Sequence, residues 1–288
     1  MRETIYYQRG LPDPLLKESM VLELVRQYDP GARAVTSIDD SHGEARAYMV
    51  DDNIVLKVQR PQQLRSSTSL EKEMFFLKHL EKQTDVSVPR VLGYEKRGTL
   101  EYICMTRMPG IAAEHVKLTK QEKRELLLVL GKELRKIHSV DQKPINESGL
   151  FPKDEPPDLT ERIRRRYKKV IDQKRGAVSP VQLESALHYL EDVLGAIHDT
   201  DKFVALHVNP YIPHVFVDTE AHKYSGIIDF GDAYIGHPVF DMWYWKAASR
   251  KILLLGYTSD KPVSTAFQCI FDSLNAISQR IDELNATL

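Results

Sequence analysis

Apolar residues recur at helical spacing in some stretches of the chain and run in short, strand-like blocks in others. Leu15, Leu16, Met20, Val21, Leu24 and Val25 predict a helix within Pro14 to Tyr28, ended by Asp29-Pro30-Gly31. Ala45 to Val50 and Ile54 to Val58 read as two strands joined by the turn Asp51-Asp52-Asn53. A helix over roughly Ser69 to Gln83 follows, with Met74, Leu77 and Leu80 on one face and Glu71 and Glu73 near its start. Val86 to Tyr94 and Leu100 to Thr106 read as two more strands, and Met108-Pro109-Gly110 breaks the chain.

Beyond that break the pattern is mostly helical. Thr119-Lys120-Gln121-Glu122 is a capping box that opens a helix carrying Leu126, Leu130, Leu134 and Ile137 on one side. Thr160 to Lys174 and Ser179 to His198 predict two further helices, and a short β region spans Phe203 to Phe230. Aromatic-rich helical stretches around Phe240 to Leu255 and Ser264 to Leu284 complete the chain. The expected architecture is α+β: a small β-rich lobe with one helix over residues 1–108, then a larger, mainly helical lobe over residues 109–288.

Composition narrows the class. The 288 residues are 42% hydrophobic and 28% charged, with Gly and Pro scattered, which excludes disordered and fibrous chains. With 40 Lys and Arg against 41 Asp and Glu, the chain lacks the basic excess expected of a nucleic-acid partner. No apolar run approaches 18 residues, so no membrane partner is expected, and the first ten residues lack a secretory apolar core. Cys104 and Cys269 stand far apart, which suits a reducing cytoplasm and cannot build a zinc site. The basic run Arg162, Arg164, Arg165, Arg166, Lys168 and Lys169 reads as a solvated helix face, and Trp243, Tyr244 and Trp245 as helical core.

The chemistry concentrates between His207 and Asp232. Val215 to Asp218 and Tyr224 to Ile228 form a hairpin pattern; with Asp218 opposite Tyr224, His214 falls opposite Ile228. His214 and Asp229 then emerge at one open end with Asn209 just upstream, a plausible corner for a cation.

The pattern His207-x-Asn209-x4-His214, then Ile228-Asp229-Phe230-Gly231-Asp232, resembles the aminoglycoside phosphotransferase family of small-molecule kinases. That family shares the bilobal protein-kinase-like fold, and its usual motif is His-x-Asp-x4-Asn followed by Ile-Asp-Phe/Trp-Gly-Asp. Gly236-His237-Pro238-Val239-Phe240-Asp241 resembles its next element, and Met105-Thr106-Arg107-Met108-Pro109-Gly110 and Leu134-Arg135-Lys136-Ile137-His138 match its rhythm. The resemblance covers roughly residues 35 to 245.

It implies transfer of a nucleotide γ-phosphate to a hydroxyl of an aminoglycoside-like or other sugar or amino-alcohol compound. ATP or GTP and Mg²⁺ are the implied cofactors, and the protein would be a monomer or homodimer. Gly43 belongs to the nucleotide-covering hairpin, Lys57 holds phosphate, Glu73 fixes Lys57, and Met105 and Arg107 lie at the base-binding hinge. Asp229 with His214 carries the metal, and His207, Asn209 and Asp229 form the catalytic set, with His207 orienting backbone. Asp241, Asp272, Asp282 and Glu283 are candidate acids for a cationic acceptor.

Two departures sit at the catalytic centre. Asn209 stands where the family has its catalytic Asp, and His214 where a metal-binding Asn is usual, although the 2″-phosphotransferase branch also carries His there. An amide can accept a hydrogen bond from a hydroxyl but cannot take its proton. A second reading is therefore a nucleotide- or ligand-binding pseudokinase. For His214, metal ligation and a plain hydrogen bond to Asp229 are equal competitors.

Overall fold

The computed structural model describes residues 13, 15–40, 44–60, 69–152, 159–198 and 201–286. Packing divides the chain into two units that do not follow chain order. The first draws its described residues from Met1–Glu122, Ser139–Phe151 and His207–Ala233, the second from Lys123–His138, Pro152–Leu206 and Tyr234–Leu288. Residues 207–233, assigned by sequence to the helical lobe, belong to the same unit as the N-terminal sheet.

The first unit is built on a five-stranded antiparallel sheet. Its strands are β1 (Val35–Asp39), β2 (Ala45–Val50), β3 (Ile54–Gln59), β4 (Val91–Arg97) and β5 (Leu100–Thr106), in the spatial order β1-β2-β3-β5-β4. Tyr48, Val50, Ile54, Leu56 and Val58 alternate onto one face, where α1 (Glu18–Arg26) covers them with Val21, Leu22, Leu24 and Val25. Tyr48 Oη accepts the Leu16 amide proton at 2.9 Å, which ties the approach to α1 onto β2. α2 (Ser69–Gln83) runs over the expected residues, with Leu70, Phe76, Leu77 and Leu80 buried.

Two strands depart from expectation. β1 carries only two apolar residues and is largely exposed, so it has no periodicity to read. β4 starts at Val91 rather than Val86. Pro89 has no amide proton to give a ladder, and the Ser87 carbonyl is taken instead by the Ile227 amide at 3.0 Å. The same unit holds β6 (Ile111–Ala112), α4 (Lys143–Ser148), and the strands β8 (Val215–Val217) and β9 (Tyr224–Ile227), paired in the order β6-β8-β9.

The second unit is helical apart from the pair β7 (Val204–Leu206) and β10 (Tyr234–Gly236). The Thr119 capping box opens α3 (Lys120–Ser139) with both reciprocal bonds made, and Ser179 with Gln182 caps α6 (Pro180–Gly195) in the same way. α5 (Leu159–Asp172) buries Leu159, Ile163, Tyr167 and Ile171, a strict four-residue spacing. The expected helix from Phe240 is split. Pro238–Met242 forms a 3₁₀ turn begun by Pro238 and capped by His237 Nδ1, and α7 (Ala247–Tyr257) begins afresh before α8 (Thr265–Ala286).

The basic run of α5 is not uniformly solvated. Arg164 and Arg165 pair with Glu161, and Arg164 also with Glu191. Arg162, however, lies 4.6 Å from the ring centres of both Tyr234 and Phe240, and Arg166 lies 4.5 Å from Trp243 and 4.7 Å from Tyr244. Burial pulls the Arg166 guanidinium below its ordinary value, with Tyr244 opposing. Trp243 and Trp245 are core as expected, whereas Tyr244 is half exposed. No helix among the described residues is long and apolar enough to cross a membrane.

α3 and α7 cross at two glycines. A Cβ on Gly256 would lie 2.0 Å from the Leu128 carbonyl oxygen, and one on Gly131 would lie 2.1 Å from that of Leu253. Backbone cannot yield as a side-chain tip can, so Gly256→Ala is expected to cost about 1–3 kcal/mol, the usual range for overpacking. A clear drop in the urea midpoint checks this; an unchanged midpoint contradicts the close crossing.

Candidate active site

Alternation along β3 decides where Lys57 points. With Ile54, Leu56 and Val58 under α1, Val55 and Lys57 face the other side of the sheet, beside Met49 and Ala47 of β2 and Met105 and Ile103 of β5. On that side α2 supplies Glu73, 1% exposed, and the segment after β9 supplies Asp229. Lys57 Nζ donates to Glu73 Oε2 at 2.7 Å and to Asp229 Oδ1 at 3.0 Å. The helix turns Glu73 inward to this contact, while Glu71 stays half-buried.

The three charges set one another's protonation. Burial works against the Lys57 ammonium, but the Asp229 and Glu73 carboxylates outweigh it and hold its pKa well above the ordinary lysine value. Burial would raise Asp229, yet Lys57 and then His214 hold its carboxyl well below the usual carboxylate range. Glu73 moves the other way: burial, with the Asp229 charge adding to it, outweighs Lys57 and raises its pKa.

Backbone around Asp229 is pinned from both sides. Asp229 has φ 73°, in the left-handed region, and so does the β-branched Val208, with φ 81°. The Asn209 amide donates to His207 Nδ1 at 3.3 Å, so the His207 proton sits on Nε2, which donates to the Ile228 carbonyl at 2.9 Å. The Phe230 amide donates to Glu73 Oε1 at 3.4 Å. The Phe230 ring packs against His207 at 4.5 Å and against Phe76 of α2 at 5.4 Å, and Phe76 in turn meets Phe151 at 5.4 Å. The expected hairpin register holds at this end, where the Ile228 amide bonds the His214 carbonyl at 3.0 Å. At the far end a shift between Phe216 and Val217 sets Val217, not Asp218, opposite Tyr224.

His214 closes the turn Ile212–His214. Its Nδ1 lies 2.9 Å from the Asn209 carbonyl, which can only accept, so Nδ1 carries a proton. Its Nε2 then faces Asp229 Oδ2 at 3.3 Å. Two electron-rich atoms so placed call for a cation between them, either a proton on Nε2 or a metal ion, and adjacent ligands of an octahedral Mg²⁺ lie about 3 Å apart. A magnesium ion held there would rest chiefly on the Asp229 carboxylate, with the His214 imidazole as a softer second ligand and water or phosphate completing its shell. Among the described residues no group of three or more His, Cys, Asp or Glu side chains could hold a metal by itself.

Asn209 Nδ2 donates to Asp232 Oδ2 at 2.7 Å. Since a carboxylate only accepts, the amide's nitrogen edge is fixed toward Asp232 and its oxygen edge turns away. In the sequence Asp232 is marked only by its position, a carboxylate three residues past Asp229 in a chain that has an amide in an acid's place at 209. A cleft of about 600 Å³ within this unit is lined by Lys57, Glu73, Met105, Arg107, His214, Asp229 and Asp232, among others. The Arg107 amide is spent on the Asn53 carbonyl at 2.7 Å. Gly43 lies outside the described residues.

The acids offered for a cationic acceptor do not converge. Asp241 is fully buried and accepts from His138 Nε2 at 2.9 Å, with Tyr257 Oη 3.0 Å from the other ring nitrogen, so it belongs to the helical core. Asp272 pairs with Gln268 and Glu283 with Arg280, all along α8.

A model of the phosphotransferase enzyme family (APH) matches residues 37–251. No curated protein matches the sequence. Among solved structures, the GDP complex of an aminoglycoside 2'-phosphotransferase-IIIa mutant superposes with a TM-score of 0.66 at 15% identity, over 94% of this chain and 92% of that one. A spectinomycin phosphotransferase with ADP and spectinomycin gives 0.63 at 12% identity over 93% and 88%. The macrolide 2'-phosphotransferase of Brachybacterium faecium gives 0.62 at 17% identity over 94% and 93%. At these identities the likeness is one of fold.

The charge triad makes a testable statement about stability. Because Glu73 is raised, the folded chain keeps that proton to higher pH than the unfolded chain, and stability falls as pH climbs above about 4.3. Lys57, raised, opposes this with a contribution that is complete below about pH 10.4 and lost only as pH rises through its folded value. Lys57→Met removes that opposition. Breaking a buried pair costs about 3–5 kcal/mol, and the cleft-facing side of Asp229 puts the loss near the lower figure. The gap in urea stability between wild type and variant should widen from pH 5 to pH 8; a gap that is constant or narrows contradicts the arrangement.

Proposed function

The chain belongs to the phosphotransferase enzyme family, and on that premise we propose that it transfers the γ-phosphoryl group of ATP or GTP to a hydroxyl of a small molecule. The observation that carries this reading is Lys57 held between Glu73 and Asp229, with His214 on the far side of Asp229. A lysine so placed is a fixed positive charge for phosphate oxygens, and Glu73 keeps it there when Asp229 turns to a metal. Asp229 Oδ2 and His214 Nε2 are the residues that would hold magnesium. Bound there, the ion supplies charge neutralisation at the β- and γ-phosphates.

Phosphoryl transfer of this kind has a loose transition state, so positioning and electrostatics do most of the work. The Asn209 oxygen edge aims the acceptor hydroxyl, and His207 holds the Ile228 carbonyl so that Asp229 keeps its left-handed conformation. Met105 offers an apolar seat for the base, and Arg107 lies beside it at the cleft wall. The acceptor is a sugar-like or amino-alcohol compound, and the protein works in the cytoplasm as a monomer or homodimer without nucleic-acid or membrane partners. One observation favours a second reading, a nucleotide-binding pseudokinase: Asn209 has no proton affinity to offer, and a positioned base contributes roughly 10²–10⁴ in rate.

Calorimetric titration with ATP and with GTP, each with and without magnesium, tests the reading. Binding is expected to require magnesium, and Lys57→Met is expected to weaken it by about tenfold or more, the loss of one charge-assisted hydrogen bond. Failure of both nucleotides to bind, with the protein folded, contradicts the proposed function outright.

A further inference from the structure

We propose that Asp232 is the group that takes the proton from the acceptor hydroxyl, in place of the residue at 209; the assignment rests on the phosphotransferase reading. The neighbouring groups are already committed. Asp229 is engaged on one oxygen by Lys57 and faces His214 with the other. Glu73 is buried on Lys57. His207 spends one ring nitrogen accepting from Asn209 and the other donating to Ile228, and His214 donates from Nδ1 to Asn209. Asp232 has the placement the role needs: it lines the cleft, is partly exposed, and accepts from Asn209 Nδ2 at 2.7 Å, beside the amide proposed to hold the hydroxyl.

The pair also divides the work that an amide at 209 cannot do alone. Asn209 donates to Asp232 and keeps its own oxygen to accept from a hydroxyl, so one residue orients and the other takes the proton. The acceptor oxygen bonds to the γ-phosphorus of the nucleoside triphosphate as the bond from that phosphorus to the bridging oxygen breaks. The hydroxyl proton passes to an Asp232 carboxylate oxygen, and the nucleoside diphosphate leaves.

Water serves as the probe acceptor, so the test is the magnesium-dependent hydrolysis of ATP and GTP to diphosphate and phosphate, read beside nucleotide affinity by calorimetry. Asp232→Asn should cut hydrolysis by about 10²–10⁴-fold with affinity changed by less than about threefold, the size expected for loss of a positioned base. Asp232→Glu should keep part of the rate. The exchange Asn209→Asp with Asp232→Asn, which swaps carboxylate and amide, should return the rate to within about tenfold of wild type, as expected if the base is what was lost. Full activity in Asp232→Asn overturns the assignment, as does an exchanged pair no better than Asp232→Asn. A wild type that binds magnesium nucleotide without hydrolysing it also overturns it and favours the pseudokinase. A wild type that binds no nucleotide removes the phosphotransferase reading itself.

Discussion

Lys57 satisfies two carboxylates at once, and the geometry of the cleft follows from that demand. Its stem leaves a strand whose other face is committed to α1, so the ammonium must emerge on the α2 side. There Glu73 is too buried to be ionised alone, and Asp229 too close to Glu73 to be ionised without a cation between them. Lys57 keeps its charge because of both carboxylates, and both carboxylates lean on Lys57 for theirs. Removing Lys57 leaves two carboxylates facing each other with no cation, which makes the site a single electrostatic object drawn from a strand, a helix and a loop far apart in sequence.

Aromatic packing keeps that object in register. Phe230 follows Asp229 directly, and its ring is lodged between His207 and Phe76 while its amide reaches Glu73. The residue before Asp229 is tied to His207 through its carbonyl. Asp229 therefore has little freedom to relax from a left-handed conformation that costs a non-glycine residue on the order of 1–3 kcal/mol. Strain of this kind persists only where neighbours over-determine the backbone, and here the neighbours on α2 also carry Glu73 and Phe76.

Much of this was legible before the fold was seen, because local rules decided it. The α2 boundaries, the Thr119 capping box and the β2–β3 hairpin follow from periodicity and cap chemistry within short windows. The meeting of His214 with Ile228 came from counting hairpin register, and it survived because the shift falls beyond Phe216. What was not legible was set by partners remote in sequence. β1 is an edge strand with almost no buried face, and β4 is displaced by Pro89 and by a carbonyl claimed elsewhere. Arg162 and Arg166 look like solvent charges until Tyr234, Phe240, Trp243 and Tyr244 are folded against them. Asp241 looks like a substrate acid until His138, on another helix, is seen to hold it. The Asn209–Asp232 bond has the same character, since only the hairpin fold brings position 232 back to position 209.

The account turns on Asp229 and His214 receiving a metal between them, and the most direct measurement is electron paramagnetic resonance of the protein with manganese and ATP. The manganese ion should show hyperfine coupling to an imidazole nitrogen that disappears in His214→Ala while nucleotide remains bound. Manganese nucleotide held in the cleft with no nitrogen coupling in the wild type would contradict the account, leaving His214 as a hydrogen-bond partner of Asp229 and nothing more.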